Sequence, residues 1–231
     1  MKPLIVANWK MNPESLKGAF DLASSVVKGA NGLDVDVVLC PPFVYIPQLL
    51  PSANVFIGAQ NCFWEEEGAF TGEVSPRMLK NMGCSYVILG HSERKNNVGE
   101  TLGMVNKKVL MALREQLVPL LCIGENVEKE LPEVLKNVAK EDLNHLVLVY
   151  EPEWAVSTEK NSKPDTPEHI KKTIEKIKKI AGTNVRVLYG GSVQSSNIQD
   201  FLKEGGAQGV LVGAASLNSN EFIKLIYGAI L

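Results

Sequence analysis

Cysteine is scarce in this chain: four among 231 residues, Cys40, Cys62, Cys84 and Cys122. No pair has C-x-x-C spacing, and Cys40, Cys84 and Cys122 fall in or beside apolar segments. That pattern argues against a disulfide frame or a cysteine metal cluster, and for buried thiols in a reducing compartment. An excess of charge is missing too. The 24 basic and 26 acidic residues leave a net charge of -2, which gives no reason to expect nucleic acid or an anionic membrane as partner. Any anionic ligand must therefore be held by a local basic cluster. No apolar run reaches the length of about 18 residues that a membrane span needs. The opening run Leu4–Ala7 is too short for the core of a secretion signal, so the expected location is the cytoplasm. Linkers and low-complexity segments are absent, which implies a single domain over 1–231. No G-x-G-x-x-G follows the first strand-like run, which speaks against a dinucleotide-binding open sheet.

What the chain does have is a strict alternation. Continuous apolar runs at 4–8, 35–40, 55–60, 85–90, 118–123, 146–150, 185–189 and 209–213 read as strands covered on both faces. Helical patterns lie between them, near 14–29, 43–50, 74–82, 101–116, 127–141, 167–181, 195–204 and 217–230. The sixth is the clearest. Thr166 can cap it, Pro167 suits its first position, and Ile170, Ile174, Ile177 and Ile180 form one apolar face. Eight strands alternating with eight helices predict an α/β fold, a (β/α)8 barrel with parallel strands.

In such a barrel the mouths of the strands share one site. Val147-Leu148-Val149-Tyr150 runs straight into Glu151 and Pro152, so the proline ends the strand and leaves a carboxylate at its mouth. Asn8 and Lys10 follow the first strand, and His91 follows the fourth. A lone histidine is often structural, but His91 opens a polar segment directly after a buried strand, which favours a catalytic role. Glu93 and Arg94 behind it could form a structural ion pair. His145 and His169 read as surface or packing residues, and Trp9 and Trp154 as packing residues. Gly190-Gly191-Ser192-Val193 and Gly213-Ala214-Ala215-Ser216 follow strands seven and eight. Either glycine turn alone could be only a tight turn. Both together, at the usual phosphate site of a barrel, predict backbone N–H groups for a phosphate. The irregular stretch 151–165 has the length of a lid.

These segments resemble triosephosphate isomerases. The similarity rests on Ala7-Asn8-Trp9-Lys10-Met11-Asn12, Gly58-Ala59-Gln60-Asn61, Gly68-Ala69-Phe70-Thr71-Gly72-Glu73, Leu89-Gly90-His91-Ser92-Glu93-Arg94, Cys122-Ile123-Gly124-Glu125, Tyr150-Glu151-Pro152, Tyr189-Gly190-Gly191-Ser192-Val193 and Leu211-Val212-Gly213. They run through the whole chain in the family's order. The resemblance implies a single-domain TIM barrel that interconverts dihydroxyacetone phosphate and D-glyceraldehyde 3-phosphate through an enediolate, in glycolysis and gluconeogenesis. It implies Glu151 as the base, His91 as a neutral electrophile, Lys10 as the cation that attracts the anion, and Asn8 as a substrate-binding amide. It places Glu93 behind Lys10, and Ser157, Ser192, Gly213 and Ala214 among the backbone N–H groups around the phosphate. No cofactor or metal is implied. A homodimer is, with the loop 65–73 reaching into the neighbouring subunit. A non-catalytic phosphosugar-binding relic is the competing reading, against which stand the retained Lys10, His91 and Glu151. A different phosphosugar barrel enzyme would not need that triad.

Three departures stand out. The family's lid, close to P-V-W-A-I-G-T-G-K, is here Pro152-Glu153-Trp154-Ala155-Val156-Ser157-Thr158-Glu159-Lys160. Ala214 replaces the second glycine of the last phosphate loop. Only residues 126–150 separate Glu125 from Glu151, a shorter stretch than the family's habit. Ser157 and Glu159 narrow the backbone freedom that two glycines supply, and a left-handed Glu159 costs roughly 1–2 kcal/mol. The double change Ser157→Gly with Glu159→Gly is therefore expected to raise kcat/KM by about tenfold, assayed at low and high salt. No gain at either salt concentration would contradict this reading of the lid.

Overall fold

Eight parallel strands close on themselves in the computed structural model, which describes residues 1–49, 51–155 and 164–231. The strands are Leu4–Asn8 (β1), Asp36–Cys40 (β2), Val55–Ala59 (β3), Tyr86–Leu89 (β4), Val118–Ile123 (β5), Val147–Tyr150 (β6), Arg186–Tyr189 (β7) and Gly209–Val212 (β8). They pair in chain order, and β1 joins β8 with Leu4 opposite Gly209 and Ala7 opposite Val212. This seam needs a glycine. Gly209 has φ 150°, and a Cβ there would lie 2.0 Å from the Leu4 carbonyl oxygen.

The apolar runs are continuous because each face of a strand is buried, against different partners. Leu4, Val6, Val38, Cys40, Val147 and Val149 pack inside the barrel. Their neighbours Ile5, Ala7, Val37, Leu39, Leu148 and Tyr150 pack outward against the helices. The period of two is thus kept in geometry even though hydropathy does not alternate. All four cysteines are buried and unbridged, and burial pushes the Cys40 and Cys122 thiols well above their ordinary range.

The outer layer departs from the expected eight helices. The described α-helices are Leu16–Ala30 (α1), Pro76–Asn81 (α2), Ser92–Val98 (α3), Leu102–Arg114 (α4), Val127–Val134 (α5), Pro167–Ala181 (α6) and Ser219–Gly228 (α7). Between β2 and β3 the chain makes only the 3-10 turn Phe43–Gln48, where Pro47 lacks the N–H that a longer helix needs. Between β7 and β8 there is a single π-type turn, Asp200–Glu204. The helix expected over 127–141 ends at Val134. Pro132 lies in its last turn, and Asn137 has the left-handed φ of 63°. α6 forms as expected with Thr166 as cap, but Ile180 is 40% exposed and Ala181 completes the buried stripe.

α3 is the element that the apolar pattern did not reveal. It reads Ser-Glu-Arg-Lys-Asn-Asn-Val and buries only Ser92. Its boundaries are set by caps instead: His91 at the start, and Gly99 with φ 70° at the end. Arg94 does not pair with Glu93. Its Nε donates to Glu100 Oε1 at 3.0 Å. Glu100 also pairs with Lys108 on α4, whose ammonium donates to Asn61 Oδ1 at 2.8 Å. The Glu100 and Lys108 side chains are 1% and 3% exposed. Burial would raise the Glu100 carboxyl, but Lys108 and Arg94 outweigh it and hold the group below its ordinary 4.5. Glu100→Gln leaves Lys108 buried without its counter-charge and is expected to cost about 3–5 kcal/mol in urea unfolding. The sign of the pH effect follows. A lowered folded pKa gives stability that is complete above about pH 4.5 and is lost as pH falls through the folded value. The parent should lose more stability on acidification than Glu100→Gln. Equal stability of the two proteins at pH 7 would contradict the assignment.

Candidate active site

The interior positions of β1 read Leu4, Val6, Asn8, and those of β6 read Val147, Val149, then Glu151 one step past the strand. Strand parity thus aims both polar side chains into the mouth of the barrel. Glu151 is 2% exposed. Its N–H donates to the Ile123 carbonyl at 2.8 Å, which extends the β5–β6 ladder by one residue and fixes where the side chain leaves. Gly190, at the end of β7, makes room beside it. A Cβ there would sit 2.8 Å from Val149 Cγ1 and 3.4 Å from Glu151 Cβ.

His91 meets this carboxylate from the other side. Gly90, with φ 70°, turns the chain out of β4 and into α3, and His91 caps the helix by accepting the Glu93 N–H on Nδ1 at 3.2 Å. That contact leaves the proton of a neutral ring on Nε2, which lies 2.9 Å from Glu151 Oε1. The second carboxylate oxygen accepts the Ser92 N–H at 3.1 Å. Burial pulls His91 down, but the charge of Glu151 and its hydrogen bond, helped by Glu93, outweigh burial and hold the imidazole above its ordinary 6.5; Lys10 opposes this. The same contact holds Glu151 below its ordinary 4.5 against the effect of burial.

Lys10 completes the cluster. Its φ is 53°, the left-handed region that a side chain rarely adopts. Two side chains brace that strained backbone. Asn8 Oδ1 accepts the Lys10 N–H at 3.1 Å, and Gln60 Nε2 donates to the Lys10 carbonyl at 2.8 Å. The Lys10 ammonium pairs with Glu93. Glu93 is therefore the partner of Lys10, not of Arg94. Gln60 and Ser92 are the supporting residues that motif reading passed over, although both stand inside the matched stretches Gly58–Asn61 and Leu89–Arg94.

The two glycine turns face one cavity of about 340 Å³, lined by Ser192, Gln194, Asn197, Gly213, Ala214 and Pro164 among others. Ser192 differs from expectation in one respect. Its N–H donates to the Ala155 carbonyl at 2.7 Å and its Oγ to the same oxygen at 2.8 Å. An anion must displace Ala155 to use that donor. The Ser216 hydroxyl and N–H both donate to the Gly213 carbonyl, which fixes the second turn. Ser157, Thr158, Glu159 and Lys160 lie outside the described residues. A larger groove of about 460 Å³ runs between α1 and residues 49 and 51. It gathers no such set of acids and bases. Among the described residues, no helix is long and apolar enough to cross a membrane. Of the packing residues, Trp9 is fully buried, whereas Trp154 is 44% exposed with its ring 6.3 Å from that of His169.

A buried carboxylate against an imidazole, an ammonium beside both, and a turn-lined cavity next to them can move a proton and hold an oxyanion. Comparison with known proteins agrees with this chemistry. The family model for triosephosphate isomerase matches residues 3–229. The triosephosphate isomerase of Caldanaerobacter subterraneus subsp. tengcongensis is 40% identical over 245 aligned positions, which cover 97% of this chain and 98% of that protein. The triosephosphate isomerases of Alkaliphilus oremlandii and Moorella thermoacetica are 41% and 37% identical over the same shares. With its parallel eight-stranded barrel and a match along nearly its whole length, the chain belongs to the triosephosphate isomerase family.

Proposed function

We propose that Glu151 is the base of an aldose–ketose isomerisation between dihydroxyacetone phosphate and D-glyceraldehyde 3-phosphate. The observation that supports this most is the 2.9 Å contact between Glu151 and His91 in a buried site, with Lys10 beside it. Glu151 takes a proton from the carbon next to the carbonyl, and the electron pair moves onto the carbonyl oxygen. His91 Nε2–H and Lys10 stabilise the charge that develops there. Glu151 then returns the proton to the adjacent carbon, while His91 Nε2 gives its proton to the former carbonyl oxygen and regains one from the neighbouring hydroxyl, so that the oxygens exchange a proton as the carbons do. Asn8 binds substrate and holds the Lys10 backbone. Ser192, Gly213 and Ala214 supply N–H groups to the phosphate, and Glu93 holds Lys10 in place.

The pairing of base and imidazole also explains how a histidine that is raised in the free protein can act as a neutral donor. Its pKa is raised because the Glu151 carboxylate touches it. When that carboxylate turns to the substrate carbon, the contact goes. Burial, the Lys10 charge and the Glu93 N–H aimed at Nδ1 remain and disfavour a second proton, opposed only by the more distant Glu93 carboxylate. A coupled assay with glyceraldehyde 3-phosphate tests the activity, and no relative reported above carries a name that favours the binding relic.

Glu151→Asp withdraws the base by about 1 Å and should cut turnover by about a hundredfold or more with the fold kept. Near-parental turnover in the purified variant would remove Glu151 from this role.

The protein acts in the cytoplasm as a homodimer. Met11 is 93% exposed, Val44 70% and Phe70 43%, on the loops after β1, β2 and β3 at the same end of the barrel. Large apolar side chains exposed together fit burial by a second subunit. Light scattering at micromolar concentration should give about twice 25.2 kDa. A monomer with full activity would overturn this.

A further inference from the structure

Tyr150 and Tyr189 end β6 and β7, one residue before Glu151 and Gly190. Their parity is opposite to that of Glu151, so their rings lie in the layer between barrel and helices, with centroids 6.3 Å apart. Both hydroxyls meet Asp165, whose side chain is 3% exposed. The Asp165 N–H donates to the Tyr189 oxygen at 3.0 Å, and the Tyr150 hydroxyl approaches Asp165 Oδ2 at 3.4 Å. Oδ1 accepts the Thr166 N–H at 2.7 Å, and His169 Nδ1 lies 2.7 Å from Oδ2. Burial, with the Asp165 charge adding to it, pushes the Tyr150 phenol above its ordinary range, so it keeps the proton it donates.

Helix capping does not account for this carboxylate. Thr166 already caps α6 by accepting the His169 N–H. Nor does an ion pair account for it, since the histidine that meets it is half exposed and such a contact adds little stability. We infer that Asp165 is a positioning residue: its N–H is fixed to Tyr189 at the end of β7, its carboxylate holds Tyr150 at the end of β6, and that side-chain half of the link sets the distance between the Glu151 carboxylate and the glycine turn 190–193. This rests on the roles proposed above for Glu151 and that turn. His169, expected to be a mere surface or packing residue, holds the carboxylate from α6. A base displaced by about 1 Å from its carbon loses rate rather than affinity, so the tie acts on kcat.

The test compares purified parent, Asp165→Ala, Asp165→Asn, Tyr150→Phe and Glu151→Asp, each assayed well below its melting temperature. Asp165→Ala should lower kcat about tenfold and change KM by less than about threefold. Asp165→Asn, which keeps an oxygen for the Thr166 N–H, should recover kcat to within about threefold of the parent. Combining Asp165→Ala with Tyr150→Phe should cost no more than Asp165→Ala alone, because the two act as one unit. A kcat within twofold of the parent in Asp165→Ala, with only the melting temperature lowered, would overturn the inference. If that variant does not fold, Tyr150→Phe decides: a kcat drop of about threefold supports the tie, and parental kcat refutes it. Full activity of Glu151→Asp would instead overturn the roles on which the inference rests.

Discussion

A carboxylate that is 2% exposed cannot stay ionised without partners, because removing it from water costs several kcal/mol. Glu151 has two, the His91 ring and the Ser92 N–H. Both come from the first residues of α3, and the rest of the site is arranged to deliver that helix start to that carboxylate. Gly90 turns the chain out of β4, and Gly99 closes the helix. Arg94, on the same short helix, is anchored to the buried pair of Glu100 and Lys108, which also grips Asn61 after β3. Glu130 of α5 accepts from both Lys95 and the Gly124 N–H, so α3 is fastened to the β5 end as well.

The site therefore has its strain and its charge on loops, and its rigidity in the barrel beneath. Lys10 keeps a left-handed backbone only because Asn8 and Gln60 hold both of its peptide groups. The Gln60 amide also donates to the Cys40 carbonyl at 2.8 Å, so one side chain links the mouths of three neighbouring strands. Strain of this kind costs of order 1–3 kcal/mol and persists where surroundings impose it. The barrel below, packed on both faces of every strand, is the source of that constraint.

Much of this was legible in the sequence, and for physical reasons. A strand buried on both faces must be apolar throughout, so the eight runs stood out, and a proline after Glu151 marked the strand's end. Strand-end chemistry then pointed to Asn8, Lys10, His91 and Glu151. Legibility failed where structure is fixed by something other than hydropathy. α3 has no apolar stripe and is defined by its caps. The segments around Phe43–Gln48 and Asp200–Glu204 are apolar enough to suggest helices, yet only short turns form. Glu93 has cations on two sides: sequence proximity suggested Arg94, whereas the resemblance placed it behind Lys10, which is its partner in space. Lys108 did carry a signal: it interrupts the buried stripe of Val105, Val109 and Ala112 on α4, and a charge in such a stripe needs a buried partner.

The dependence of His91 on Glu151 can be measured directly. Only three histidines are present, so the imidazole resonances can be assigned and followed by NMR as pH is varied, in the parent and in Glu151→Gln. Removing the carboxylate charge should lower the His91 pKa, because burial and Lys10 then act with less opposition. An unchanged or higher pKa in the variant would contradict the claim that the base at the mouth of β6 governs the proton on His91.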